Sequence, residues 1–153
     1  MKVFPILLSL LLGCSPVHRK IYGGPPTYPK HASPAAQGLI IEVYGSERYQ
    51  QERVRRLATH LNFTGQPMPG WWRIVILSRA DWDDALIRYH LEGRTASAFT
   101  VMNQDETFVS EEYLFFATDD RVQFTLGHEA GHLICSCSSE DRANQIARIL
   151  TRR

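Results

Sequence analysis

Two short apolar runs with a helix-length stretch between them constrain this chain most. "GLIIEVYG" (38–45) is bounded by glycines and rich in β-branched residues, and "WWRIVILS" (71–78) is almost wholly apolar. Both read as strands, the second as a central one with both faces covered. The stretch between them has helical periodicity: Ser46 is placed to cap a helix running to about Asn62, with Tyr49, Val54, Leu57 and Leu61 roughly on one face. A strand that returns to its sheet through a helix lies parallel to its predecessor, so these runs predict a parallel crossover. After the second strand, Ser78 and Asp81 have capping-box spacing and open a helix that Gly93 is placed to close.

The runs "TASAFTVM" (95–102) and "TFVSEEYLF" (107–115), separated by "NQDE", read as an antiparallel hairpin. Thr118, Asp119 and Asp120 suit a helix start, where their oxygens satisfy free N–H groups and their charge favours the dipole. That helix is expected to reach Cys135 or Ser136, and a last one to run from Glu140 to about Thr151. The order β-α-β-α-β-β-α-α describes one α+β domain, 39–153, with a small mixed sheet and an edge hairpin. It carries 13 arginines against 16 acidic residues, a net charge of about −3, and no basic face argues for a nucleic-acid partner. Oligomeric state is not legible.

The N-terminal part has another character. "MKVFPILLSLLLGC" places one lysine before a ten-residue run, Val3 to Leu12, in which eight residues are apolar. That run is too short to span a bilayer as a helix and fits a secretory signal over 1–13. Leu11-Leu12-Gly13-Cys14 resembles the lipobox of bacterial lipoproteins, and the resemblance implies lipidation of Cys14, a membrane partner through that lipid, and a place in the bacterial cell envelope. Ser15 after the cysteine is similar to an outer-membrane sorting residue. From Ser15 to Gly38 the chain holds five of its eight prolines, three glycines and no acid. Such a composition buries too little apolar surface to fold, so 14–38 reads as a tether behind the lipidated cysteine.

"GHEAGHLICSCSSEDRAN" (127–144) concentrates the chemistry. His128-Glu129-Ala130-Gly131-His132 is H-E-x-x-H on a predicted helix. The i, i+4 spacing puts both imidazoles on one face, able to hold one Zn²⁺, with Glu129 in reach of a zinc-bound water. Gly127 and Gly131 each cost about 1 kcal/mol inside a helix relative to alanine, which suggests close packing against that backbone.

A hydrolytic zinc needs a third protein ligand and one open position. Cys135 shares the histidine face but lies about 10.5 Å along the axis from His128. Cys135 and Cys137, if helical, diverge by about 200°, which disfavours a bond between them; they read as small buried residues or free thiols, with a disulfide open only where the helix ends. Ala143, Ile146, Ala147 and Leu150 form the apolar stripe of the last helix. Glu140 extends that stripe inward, whereas Asp141 aligns with Gln145, Arg148 and Arg152 on the wet face. Periodicity therefore selects Glu140 as the third metal ligand, with a plain N-terminal helix carboxylate as its other reading.

The H-E-x-x-H motif with a downstream glutamate resembles the zincin metallopeptidases in their glutamate-ligand (gluzincin-like) branch. "SAFTVMNQDETFVSEEYLF" is similar to the strand pair preceding the active helix in membrane-linked heat-shock and CaaX-type endopeptidases. "EDRAN" is similar to the E-x-x-A-D/N segment of those enzymes and of phage-immunity repressor-cleaving peptidases. Seven residues separate His132 from Glu140, fewer than such enzymes usually show. The resemblance implies a zincin-like fold with an H-E-x-x-H helix and a C-terminal glutamate helix. It also implies Glu140 as a ligand and Asn144 as a residue that orients the ligands. The expected activity is zinc-dependent hydrolysis of peptide or protein substrates, with metal ligands His128, His132 and Glu140 and catalytic base Glu129. Tyr89, His90 and Tyr113 are weaker candidates for oxyanion stabilisation. Two other readings share the motif: a non-catalytic envelope lipoprotein with a structural or absent zinc, and a zinc-dependent cell-wall amidase.

Overall fold

A computed structural model describes residues 38–152. The expectations for the signal over 1–13, for Cys14 and for the tether, apart from Gly38, fall outside the described residues. The runs 38–45 and 71–78 supply strands β1 (Ile40–Tyr44) and β2 (Trp71–Leu77), which pair in parallel across helix α1 (Arg48–Thr59), as the crossover argument requires. Helix α2 (Arg79–Arg88) leads to strand β3 (Ala98–Val101), a short 3₁₀ turn, and strand β4 (Glu106–Ser110). β4 pairs antiparallel with β3 and parallel with β2, giving a mixed four-stranded sheet in the order β1-β2-β4-β3. Helices α3 (Glu111–Phe116), α4 (Asp119–Cys135) and α5 (Glu140–Leu150) complete an α+β fold of five helices among the described residues.

Alternation along β2 divides the interior. Trp72, Ile74 and Ile76 face α1 and α4 in the main core, with Val54, Leu57, Leu61, Val109, Leu114, Val122, Leu126 and Leu150. Val75 and Leu77 face Trp82, Ala85 and Phe108 under α2.

Several local expectations shift. Ser46 does not cap α1: its hydroxyl donates to Glu111 Oε1 at 2.8 Å, and Glu47 takes the N-cap place without a side-chain bond. Gln50 rather than Tyr49 joins Val54 and Leu57 on the buried face. Tyr49 lies five residues before Val54, about 140° around the helix, and is exposed. Ser78 does cap α2, accepting from the Asp81 N–H. That helix ends at Tyr89, before Gly93, because His90 takes the left-handed conformation (φ 56°) and the Leu91 N–H turns back to the Leu86 carbonyl at 2.8 Å. The strand expected to continue to Phe115 stops at Ser110. Its hydroxyl caps α3 by accepting from the Tyr113 N–H, and Glu111 and Glu112 lie in the first turn, where the dipole favours them. Phe115 and Phe116 are consequently exposed at the surface.

Two contacts fix where α4 lies. Arg53 on α1 donates to Asp119 Oδ1 (2.7 Å), to the Leu114 carbonyl (2.5 Å) and to the Ala117 carbonyl (2.7 Å), so one guanidinium serves the link between α3 and α4. Arg56 adds a bond to Asp119 Oδ2 at 2.8 Å. The second contact is with α5. A Cβ on Gly131 would lie 2.8 Å from the Ala143 carbonyl oxygen and 2.9 Å from its Cα, whereas one on Gly127 would meet only ordinary contacts at 3.4–3.5 Å. The close packing anticipated from the two helical glycines is thus concentrated at Gly131.

Gly131→Ala should therefore cost about 1–3 kcal/mol through overpacking against backbone that has nowhere to move. Gly127→Ala should stay within about 1 kcal/mol of the parent, since helix propensity offsets a mild contact; urea unfolding of the pair measures the difference. Arg53→Met should cost about 2–4 kcal/mol, because two carbonyls and a carboxylate lose their donor. Bonds from Arg56 and then Arg53 hold the Asp119 carboxyl below its ordinary value of 3.8. Its contribution is complete above that value and lost as pH falls through the lower, folded-state one. Asp119→Asn should accordingly flatten the acid limb of the stability profile while leaving its slope near neutrality unchanged.

Candidate metal centre

Helix α4 starts under Thr118, whose hydroxyl accepts from the Arg121 N–H, with Asp119 and Asp120 in its first turn. It carries His128 and His132 on one face, their rings 4.8 Å apart and nearly perpendicular. It ends abruptly. Ser136 adopts φ 46°, the Ser136 N–H bonds to the Leu133 carbonyl and the Cys137 N–H to the His132 carbonyl, so the chain reverses within one residue. Ser139 caps α5 by accepting from the Arg142 N–H. Glu140 is then the first residue of α5, beside the histidines and not a further 12 Å or so along a continuing helix.

Cys135 and Cys137 bracket the reversed residue and are joined by a disulfide, their Cα atoms 5.1 Å apart. This corrects the reading of free thiols. The divergence argued against a bond holds only for continuing helix, and the left-handed step at Ser136 removes it. Neither sulfur is available as a thiolate.

His128, His132 and Glu140 form a group able to hold a metal ion. His128 Nε2 lies 3.1 Å from His132 Nε2 and 3.0 Å from Glu140 Oε2, and Glu140 Oε1 is 3.7 Å from His132 Nε2. The protonation pattern follows from the other ring nitrogens. His132 Nδ1 faces the Cys137 carbonyl at 2.8 Å, and His128 Nδ1 faces Asn144 Oδ1 at 3.0 Å. Both oxygens only accept, so each Nδ1 is turned to them as a donor and both Nε2 atoms point into the same small space. The two Nε2 atoms and the Glu140 carboxylate converge there, the placement that a shared cation would need. The separations match that use: bonds of about 2.05 Å in a tetrahedron set donors about 3.3 Å apart. The donor set therefore fits a metal ion.

Exposure is uneven across the group. The His128 and His132 side chains are 16% and 11% exposed and the Glu140 side chain 73%, so solvent reaches the centre from the α5 side. Asp141 is exposed and outside the group. Asn144, one turn beyond Glu140, reaches His128 as described.

Glu129 sits between the two histidines in sequence and is buried. Its Oε2 accepts from the Thr100 hydroxyl on β3 at 2.7 Å. Burial pushes its carboxyl from the ordinary 4.5 up to about 7, against the lowering effects of the Thr100 bond and the neighbouring His132, while the Glu140 charge adds to the rise. A buried glutamate with its proton affinity near neutrality is suited to accepting and returning a proton.

The weaker candidates are engaged elsewhere. Tyr89 packs on Phe99 and Phe108, where burial raises its hydroxyl above the ordinary value. His90 occupies the left-handed end of α2, and the Tyr113 hydroxyl bonds Thr125 at 2.8 Å. Reading by sequence missed two participants. Thr100 could have been found from the inward phase of the hairpin; the Cys137 carbonyl left no signal, because backbone acceptors have no residue identity. No family model, curated protein or solved structure matches this chain.

Proposed function

We propose that this chain is a zinc-dependent metallopeptidase of the zincin type, glutamate-ligand branch, acting on peptide or protein substrates at the bacterial cell envelope, held there by lipid on Cys14. The observation that carries the reading is the convergence of His128 Nε2, His132 Nε2 and the Glu140 carboxylate beside a buried Glu129. Imidazole and carboxylate donors in a near-tetrahedral arrangement suit zinc, and three members among the described residues leave one coordination position for solvent or substrate. When bound, zinc supplies Lewis acidity, which polarises a scissile carbonyl and brings the pKa of water towards about 7.

The chain's own residues do the rest. Asn144 and the Cys137 carbonyl hold the two imidazoles with Nε2 turned inward. Glu129 takes a proton from the attacking water and returns it to the leaving nitrogen. β3 is an edge strand beside α4, so an extended substrate can add to it through main-chain hydrogen bonds, with the scissile bond near Glu129. No helix among the described residues is long and apolar enough to cross a membrane, so the proposed attachment rests on Cys14.

Glu129→Gln should retain zinc and lose about a hundredfold or more in cleavage of a casein or peptide pool. Full activity with zinc retained would remove Glu129 as the base. Cleavage of purified peptidoglycan but not of protein would move the activity to a cell-wall amide. Asn144→Ala should weaken zinc affinity about 10- to 100-fold, Glu140→Ala should weaken it more, and Asp141→Ala should leave it unchanged. Zinc titration of the three variants checks that order, and an effect at Asp141 greater than at Glu140 would overturn the ligand assignment.

A further inference from the structure

The inner face of the sheet is apolar except along one row. Trp72 on β2 donates its indole N–H to Thr107 Oγ1 on β4 at 2.9 Å, Thr107 and Thr100 on β3 share a hydrogen bond at 2.8 Å, and Thr100 meets Glu129 Oε2 at 2.7 Å. Register produces the row: Thr100 and Thr107 are direct partners across the β3–β4 pair. Trp72 and Thr107 are fully buried. Thr100 also has a longer contact, 3.4 Å, to the Glu129 carbonyl.

The indole end of this chain of bonds has a fixed direction. An indole N–H only donates, so Thr107 Oγ1 must accept from it. Each hydroxyl has one hydrogen. If Thr107 gives its hydrogen to Thr100, then Thr100 gives its own to Glu129 Oε2, and every member is satisfied.

We propose that Trp72, Thr107 and Thr100 form a hydrogen-bond relay that positions Glu129, the Thr100 hydroxyl holding Oε2 from the sheet side. This deepens the hydrolytic reading and rests on it for the catalytic part; the relay itself is a property of the folded chain. Thr100, Thr107 and Trp72 are positioning residues, acting through Glu129 and not on substrate. Bonds in such a chain polarise one another, so a change at the carboxylate reaches the indole.

The test uses the full chain and the ¹H–¹⁵N resonance of the Trp72 indole, one of three tryptophans. Glu129→Gln should shift that resonance. In a Thr100→Val background the same substitution should not, and in a Thr100→Ser background, where the hydroxyl remains, it should. No response in the parent, or an undiminished one through Thr100→Val, overturns the relay. In turnover, Thr100→Val should lower kcat about tenfold or more with KM and zinc content unchanged, and Thr100→Ser should restore it. An unchanged kcat in Thr100→Val, with the indole response lost, overturns the positioning role. A chain that shows the indole response and binds zinc but cleaves neither protein nor peptidoglycan keeps the relay and overturns the hydrolytic reading.

Discussion

The approach of α4 and α5 at Gly131 and Ala143 decides whether His128, His132 and Glu140 can meet. Two helices carrying ordinary side chains at their crossing lie 8–10 Å apart. Here a residue without a Cβ meets the backbone of a small one, and the Ala143 carbonyl occupies the space a methyl would need. This brings Glu140 and Asn144, on the same helix as Ala143, within reach of the imidazoles on α4. A bulkier pair at the crossing would leave all three donors in the sequence and separate them in space. The cost of two glycines inside a helix is offset by the proximity one of them permits.

Around that contact the protein arranges two different environments. On the sheet side, Glu129 is enclosed and bonded to Thr100, with Trp72 and Thr107 behind it in the core. On the α5 side, Glu140 faces solvent. Two carboxylates, eleven residues apart, therefore have separate characters. One is dry and its proton affinity is raised by burial; the other is wet and lies 3.0 Å from His128 Nε2. Environment, more than residue type, divides the roles.

Much of this was legible from residues alone, where periodicity carried the information. The parallel crossover, the central β2, the antiparallel β3–β4 pair, and the apolar stripe Ala143, Ile146, Ala147 and Leu150 follow from spacing and are found in the fold. The same stripe placed Glu140 on the side of α5 that meets the histidines, although its side chain stays exposed to solvent and is not drawn into the interior as expected. Failures occurred where a single local choice competes with pattern. "SEEYLF" has the aromatic content of a strand, but a serine followed by two glutamates also starts a helix, and capping prevailed at Ser110. His90 accepts left-handed backbone that glycine usually supplies, so the end of α2 came before the Gly93 that was expected to mark it. The disulfide between Cys135 and Cys137, disfavoured within a helix and left open only where the helix ends, depends on the left-handed step at Ser136.

The uneven exposure of the three donors gives ion exchange a direction. Glu140 projects from the first turn of α5 into water, whereas both imidazoles are more than four-fifths enclosed. A cation taken up by this group from bulk solvent would meet the carboxylate before the nitrogens, and a chelator withdrawing it would begin at the same oxygen. Loading and stripping would thus share one doorway, with the carboxylate as its threshold.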